Sequence, residues 1–221
     1  MRLAMQALTK YLAGLALIVL LLFAPAGTWA YWQGWMFIGI MFVPMLLLGV
    51  VLLLRSPALL EKRLNTKEKQ TVQQKVVALS GVMFVAGFVL AGLDRRFGWS
   101  GMPWQVSVAA AVIQLLAYAL YAEVMRENAY LSRTVEVQQG QKVIDTGLYG
   151  IIRHPMYAAT LLLYLAMPLV LGSWPALIVF LIYPAVIVRR IRNEEQVLRA
   201  GLEGYEAYLK KVKYRIIPFI W

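Results

Sequence analysis

Residues Trp35-Met-Phe-Ile-Gly-Ile-Met-Phe-Val-Pro-Met-Leu-Leu-Leu-Gly-Val-Val-Leu-Leu-Leu54 run for 20 positions without a charge. An α-helix of about 20 apolar residues crosses the hydrocarbon core of a bilayer. In lipid, a lone chain segment must satisfy its own backbone N–H and C=O groups, and the helix does so. Segment 33–54 therefore reads as a transmembrane helix. Five more apolar segments flank it, roughly 8–30, 76–93, 105–125, 156–171 and 174–188. The segments at 8–30 and 105–125 are long enough to span, and 76–93 is short but sufficient. The last two are shorter and are joined by Gly172-Ser173-Trp174-Pro175, a turn signal. They read as a tight helical hairpin whose second arm runs on into a polar C-terminal helix. The expected fold is an all-α integral membrane protein: about six apolar helices, four spans plus the hairpin, and a cytoplasmic C-terminal helix. No internal repeat or low-complexity tract divides the chain, so 1–221 reads as one membrane domain.

Composition agrees. Of the 221 residues, 61% are hydrophobic, well above the half expected of a soluble domain. The net charge of +11 does not signal nucleic acid, because the basic residues lie between the apolar segments. With no Cys and one His, the chain has no disulfide framework and no zinc or haem ligand set. Of the 22 Lys and Arg, only Arg95 and Arg96 fall on one side of the proposed spans. The positive-inside rule then puts both termini, loop 126–155 and the tail from 189 in the cytoplasm, as in a bacterial-type inner membrane or an ER-like one. Trp29, Trp32, Trp35, Trp99, Trp104 and Trp174 all fall at the opposite boundary, as an aromatic belt would. Arg2 and Lys10 ahead of an apolar run, with Ala24-Pro25-Ala26 behind it, have the look of a secretory leader. The run is long enough to span, so a retained first helix is expected. Segment 55–75 opens with Ser56-Pro57 and mixes Leu59, Leu60 and Leu64 with Glu61, Lys62 and Arg63; it reads as an interfacial amphipathic helix.

Chemistry concentrates in the second half. Gly147-Leu-Tyr149-Gly-Ile-Ile-Arg153-His154-Pro155-Met-Tyr157 holds the single histidine and abuts an apolar helix. Pro155 suits the first helical position, where unpaired backbone N–H groups with Arg153 and His154 would form a carboxylate or phosphate site. Arg153 alone would serve equally as an interfacial anchor. Downstream, Val188, Ile191, Glu195, Leu198, Leu202 and Tyr205 recur at intervals of three and four, a helix seam in which Glu195 is the sole charge. A carboxylate in such a seam requires a cationic or hydrogen-bonding partner. Glu194 lies nearer the edge. Arg190 with Glu194, and Glu195 with Arg199, are also i,i+4 pairs of the kind a solvated helix carries.

Segment 126–157, followed by Arg190-Ile-Arg192-Asn-Glu194-Glu195, Tyr205-Glu-Ala-Tyr208 and Ile217-Pro-Phe-Ile220, resembles the isoprenylcysteine carboxyl methyltransferase family of membrane methyltransferases. That family shares its design with phospholipid N-methyltransferases. The resemblance covers about the last hundred residues. It implies S-adenosylmethionine as cofactor, leaving as S-adenosylhomocysteine, and makes 126–221 the cofactor-binding catalytic half beside a scaffold and acceptor half, 1–125. It places Tyr149, Arg153, His154, Pro155, Tyr157, Glu194, Glu195, Tyr205 and Tyr208 around the cofactor. No Gly-rich Rossmann turn is visible.

The acceptor would be a lipophilic small molecule, a lipid or a prenylated protein, reached from the bilayer. A carboxylate acceptor needs no base, and Arg190 or Arg192 would guide it; an amine would need Glu194 or His154 as base. Asn128 and Ser132 fall on the acceptor side of the matching loop. A sterol-type membrane reductase using a nicotinamide cofactor has a similar C-terminal layout and is the competing enzyme reading. A small transporter or scaffold is the competing non-enzymatic one. The first four segments offer a transporter little polar lining, chiefly Gln114 and Ser80.

Overall fold

The computed structural model describes residues 2–65, 71–132 and 134–221. Its helices are α1 Arg2–Ala26, α2 Trp32–Arg55, α3 Pro57–Leu64, α4 Thr71–Phe97, α5 Trp104–Glu127, α6 Pro155–Val170, α7 Trp174–Phe180, α8 Tyr183–Gly201 and α9 Tyr205–Lys211. A 3-10 turn covers Gly147–Gly150, and no strand occurs among the described residues. Of the expected 55–75 amphipathic segment, 66–70 lies outside the described residues.

The bundle is apolar on its outside. Leu20, Leu47, Leu54, Val82 and Leu116 are each more than 60% exposed. Such a surface suits lipid and not water. Helices α1, α2, α4 and α5, and the α7–α8 arm taken as Trp174–Gly201, are each long and apolar enough to cross a membrane; α6 is apolar but shorter. The protein is an integral membrane protein. The six tryptophans of the expected belt are all exposed and sit at the helix ends around 26–35, 97–104 and 174.

Between helices, small residues let backbones approach. Ala110, Ala111 and Ala117 of α5 are buried, as are Ala159 and Ala166 of α6, and these two helices share the most extensive contact in the fold. Helices α1 and α4 meet at Gly92. A Cβ there would lie 2.5 Å from Leu22 O and 3.2 Å from Ala26 N, both of which are backbone atoms. Gly92→Ala should therefore lower stability by about 1–3 kcal/mol. Thermal unfolding in detergent checks this, and an unchanged Tm would contradict the close packing.

The turn between α6 and α7 is built as its sequence requires. Gly172 has φ +75°, and Ser173 Oγ caps α7 by accepting from Ala176 N at 3.2 Å. Tyr31 donates to Leu171 O at 2.6 Å, and Trp174 N donates to Ser100 Oγ at 3.0 Å, which in turn donates to buried Asp94 at 2.6 Å. The second arm does run on into the polar helix, with a break at Leu181 and Ile182. Pro184 has no N–H to return to Phe180 O, which ends α7 there. Within α8 the buried positions are Tyr183, Val186, Ile187, Ile191 and Glu195; Val188, expected in the seam, is only half-buried.

Candidate active site

Three pieces of chain converge on Glu195. The 3-10 turn supplies the approach: Gly147 has φ +54°, and a side chain there would collide with the Glu127 carboxylate. That carboxylate accepts from Leu148 N at 3.0 Å. The positive φ therefore favours glycine at 147, and the turn aims Tyr149 inward. Next, Arg153 and His154 enter α6, with His154 at the N-cap and Pro155 at the first turn. Finally, the tail after α9 folds back. Arg153 N donates to Tyr214 O at 2.9 Å and His154 N to Arg215 O at 2.8 Å.

The side chains complete the knot. Glu195, 4% exposed, accepts from Arg153 Nε at 2.9 Å and from Arg215 Nη2 at 2.9 Å, with His154 Nε2 at 3.3 Å. Arg153 Nη1 also donates to Val212 O and Lys213 O, both at 2.8 Å. A buried carboxylate held by three such groups stays ionised and orders everything that touches it.

Beside this knot lies a cavity of about 440 Å³. Its polar wall comprises Asn128, Ser132, Tyr149, Arg153, His154, Arg190, Glu194, Tyr205 and Tyr208, and its apolar wall comprises Val76, Val77, Gly81 and Phe84 of α4 with Tyr164, Tyr183 and Ile187. Tyr157 OH bridges two polar residues: it accepts from Arg190 Nε at 2.8 Å and donates to Glu194 Oε2. Tyr208 OH donates to Tyr149 O at 2.8 Å, and Asn128 Nδ2 donates to Tyr149 OH at 3.0 Å. Burial raises the Tyr149, Tyr205 and Tyr208 phenols above their ordinary range, so each remains a neutral donor.

Most of the expected site residues therefore meet in one place, with differences. Glu195 does not line the cavity; its oxygens are spent on Arg153, His154 and Arg215, and Glu194 is the glutamate of the pair that faces the space. The expected i,i+4 partner of Glu195, Arg199, pairs with Glu206 at 3.5 Å instead. Arg192 is exposed and stands apart from the cavity lining. Pro155 is buried and shapes the helix start without facing the cavity. The start of α6 also offers fewer free donors than expected. Tyr157 N and Ala158 N both return to His154 O, and the tail takes the N–H groups of Arg153 and His154. Asn128 and Ser132 line the cavity, yet their polar atoms largely hold their own loop: Tyr130 N donates to Asn128 Oδ1 at 2.9 Å and Thr134 N to Ser132 Oγ at 3.2 Å.

Several contributors were not read from the sequence. Arg215 and Glu127 act across 20 and 21 residues, and no local spacing marks them. Gln73, wholly buried at the start of α4, donates to Asn193 Oδ1 at 2.7 Å and holds α4 against α8. Arg63 of α3 reaches the cavity wall as well.

Comparison with known proteins falls on the same half of the chain. Residues 104–203 match the phospholipid methyltransferase family. These are membrane methyltransferases related to isoprenylcysteine carboxyl methyltransferases. The match to the phospholipid methyltransferase family takes in α5 to α8, with Tyr149, Arg153, His154, Glu194 and Glu195, and stops before α9. Among curated proteins, the Delta(14)-sterol reductase of Mus musculus is 34% identical over 91 residues, 40% of this chain and 22% of that protein. The Delta(14)-sterol reductase of Candida albicans is 24% identical over 128 residues, 53% of this chain and 29% of that protein. The uncharacterized protein YpbQ of Bacillus subtilis is 28% identical over 97 residues, 43% of this chain and 57% of that protein. Each match covers less than two thirds of the relative's own length.

Proposed function

We propose that this protein transfers a methyl group from S-adenosylmethionine to a lipophilic acceptor drawn from the bilayer. The observation that carries the reading is the composition of the cavity beside the Glu195 knot. A polar wall bearing a carboxylate, cations and tyrosines continues into an apolar wall on the membrane helix α4. On α4, Val77 and Gly81 are exposed while also lining the cavity, and a Cβ at Gly81 would meet nothing within 4 Å. A lipid-soluble chain has a route there, while a polar cofactor enters from the opposite, charged end.

The residues fit the cofactor's chemistry. Glu194 is assigned the ammonium, and Arg153 Nη2, the arm not used by Glu195 or the tail, the carboxylate. Tyr149, Tyr205 and Tyr208 offer aromatic faces for the adenine and the sulfonium. The cofactor supplies an electrophilic methyl and a neutral leaving group. The protein's task is then alignment and exclusion of water, which together account for most of the acceleration in such a displacement. The Glu195 knot holds Arg153 and His154 in place and takes no part in proton transfer. Arg190, oriented by Tyr157, is positioned to guide the acceptor's reacting group. The charge distribution favours a cytoplasmic polar end.

A second reading rests on two of the relatives being named Delta(14)-sterol reductases: reduction of a lipid double bond with a nicotinamide cofactor. One experiment separates the two. Purified protein in vesicles of total lipid extract is given methyl-labelled S-adenosylmethionine or NADPH. Label passing into the lipid phase is the expected result. NADPH oxidation without lipid labelling would overturn the methyltransferase reading.

A further inference from the structure

The family match begins at residue 104, so it leaves out α3, yet α3 delivers a cation to the same cavity. Helix α3 is docked firmly. Leu59 is buried in a cluster with Val124, Met125, Tyr149 and Met156. Lys10 Nζ donates to Leu64 O at 2.6 Å, and Lys62 Nζ to Ala129 O at 3.3 Å. Arg63 is thereby held half-buried on the cavity wall. Among the described residues its contacts are neutral: Nη1 to Ser132 O at 3.4 Å, Nη2 to Tyr121 OH, and the Tyr121 ring 5.4 Å from the guanidinium. Among the described residues no carboxylate forms an ion pair with it. By contrast, Arg153 and Arg215 share the Glu195 carboxylate as a counter-charge.

A half-buried guanidinium with only neutral partners has lost part of its hydration without gaining a counter-charge. An anion brought beside it is attracted more strongly than in water. Position says which anion. Of the tyrosines assigned to the cofactor, Tyr205 and Tyr208 pack in a separate cluster with Leu202 and Val212, while Tyr149 packs with Leu59 of α3. Arg63 comes from α3, whose Leu59 packs with the end of α5, the start of α6 and Leu48 and Leu52 of α2, a cluster distinct from that of Tyr205 and Tyr208. The geometry points to an acceptor subsite: Arg63 holds a carboxylate or phosphate on the head of an anionic amphiphile whose tail lies along α4. This rests on the methyltransferase reading and adds the charge of the acceptor's head to it.

The test uses the full-length protein in neutral detergent, saturated with S-adenosylhomocysteine. Binding is measured for myristate, tetradecyl phosphate and the uncharged control myristyl alcohol. Wild type should prefer at least one anion over the alcohol by about tenfold or more, and the head that shows it identifies the group. Arg63→Gln should lose that preference, Arg63→Lys should keep part of it, and S-adenosylhomocysteine affinity should hold in both. The lysine variant guards against a loss caused by misfolding. An unchanged preference in Arg63→Gln would overturn the proposal. So would a fall in S-adenosylhomocysteine affinity with the preference intact, which would give Arg63 to the cofactor's carboxylate. A wild type that ignores S-adenosylhomocysteine yet shows an Arg63-dependent preference would refute the methyltransferase reading alone.

Discussion

Glu195→Ala should destabilise the protein by about 3–5 kcal/mol, because it leaves the buried Arg153 guanidinium without its counter-charge. The loss should spread beyond the substitution. Glu195 joins α8 to the start of α6 through Arg153 and His154, and to the tail through Arg215. Without it, the Tyr205 and Tyr208 wall loses its lock, so S-adenosylhomocysteine binding should fall with stability. Glu195→Gln keeps an acceptor but no charge and should fall between wild type and alanine. A double variant with Arg153→Ala should cost less than the two single changes added together, since both break one contact. Unfolding in mixed micelles measures this series. A Glu195→Ala protein as stable as wild type would show that the knot holds nothing.

Glu194→Gln should behave in the opposite way. Glu194 is only half-buried, lines the cavity and is bonded to Tyr157, and glutamine retains an oxygen for that hydroxyl. Stability should change little. Affinity for S-adenosylhomocysteine should drop about 10- to 100-fold, the value of one charge-assisted bond to an ammonium. Two adjacent glutamates would then separate cleanly, one read out as unfolding and the other as binding. Normal affinity in Glu194→Gln would remove the ammonium from this residue.

The contrast between these neighbours marks how far the sequence reaches. Periodicity along α8 puts Glu195 on the inward face and Glu194 at its edge, and the structure keeps that order. What periodicity lacks is a count of cations. An inward carboxylate looks equally like a ligand for a cofactor ammonium and like the centre of a protein-built knot. Only the returning tail, with Arg215 and the carbonyls of Val212, Lys213, Tyr214 and Arg215, makes it the second.

The spans were legible because lipid imposes one rule on backbone and side chains alike. The turn at Gly172 and Ser173 was legible because its residues are local determinants. The break at 181–182 was not foreseen: Pro184 lies inside an apolar run that otherwise reads as continuous. Arg63 was hidden for a related reason. On an amphipathic helix a basic residue looks like a contact with lipid phosphates, and only the packing of Leu59 turns α3 so that this one faces the cavity.

The most direct measurement is calorimetric titration of detergent-solubilised wild-type protein with S-adenosylhomocysteine and, separately, with NADPH. Saturable one-to-one binding of S-adenosylhomocysteine, weakened by Glu194→Gln, with no heat from NADPH, is the predicted result. A well-folded protein that binds NADPH and not S-adenosylhomocysteine would contradict the account.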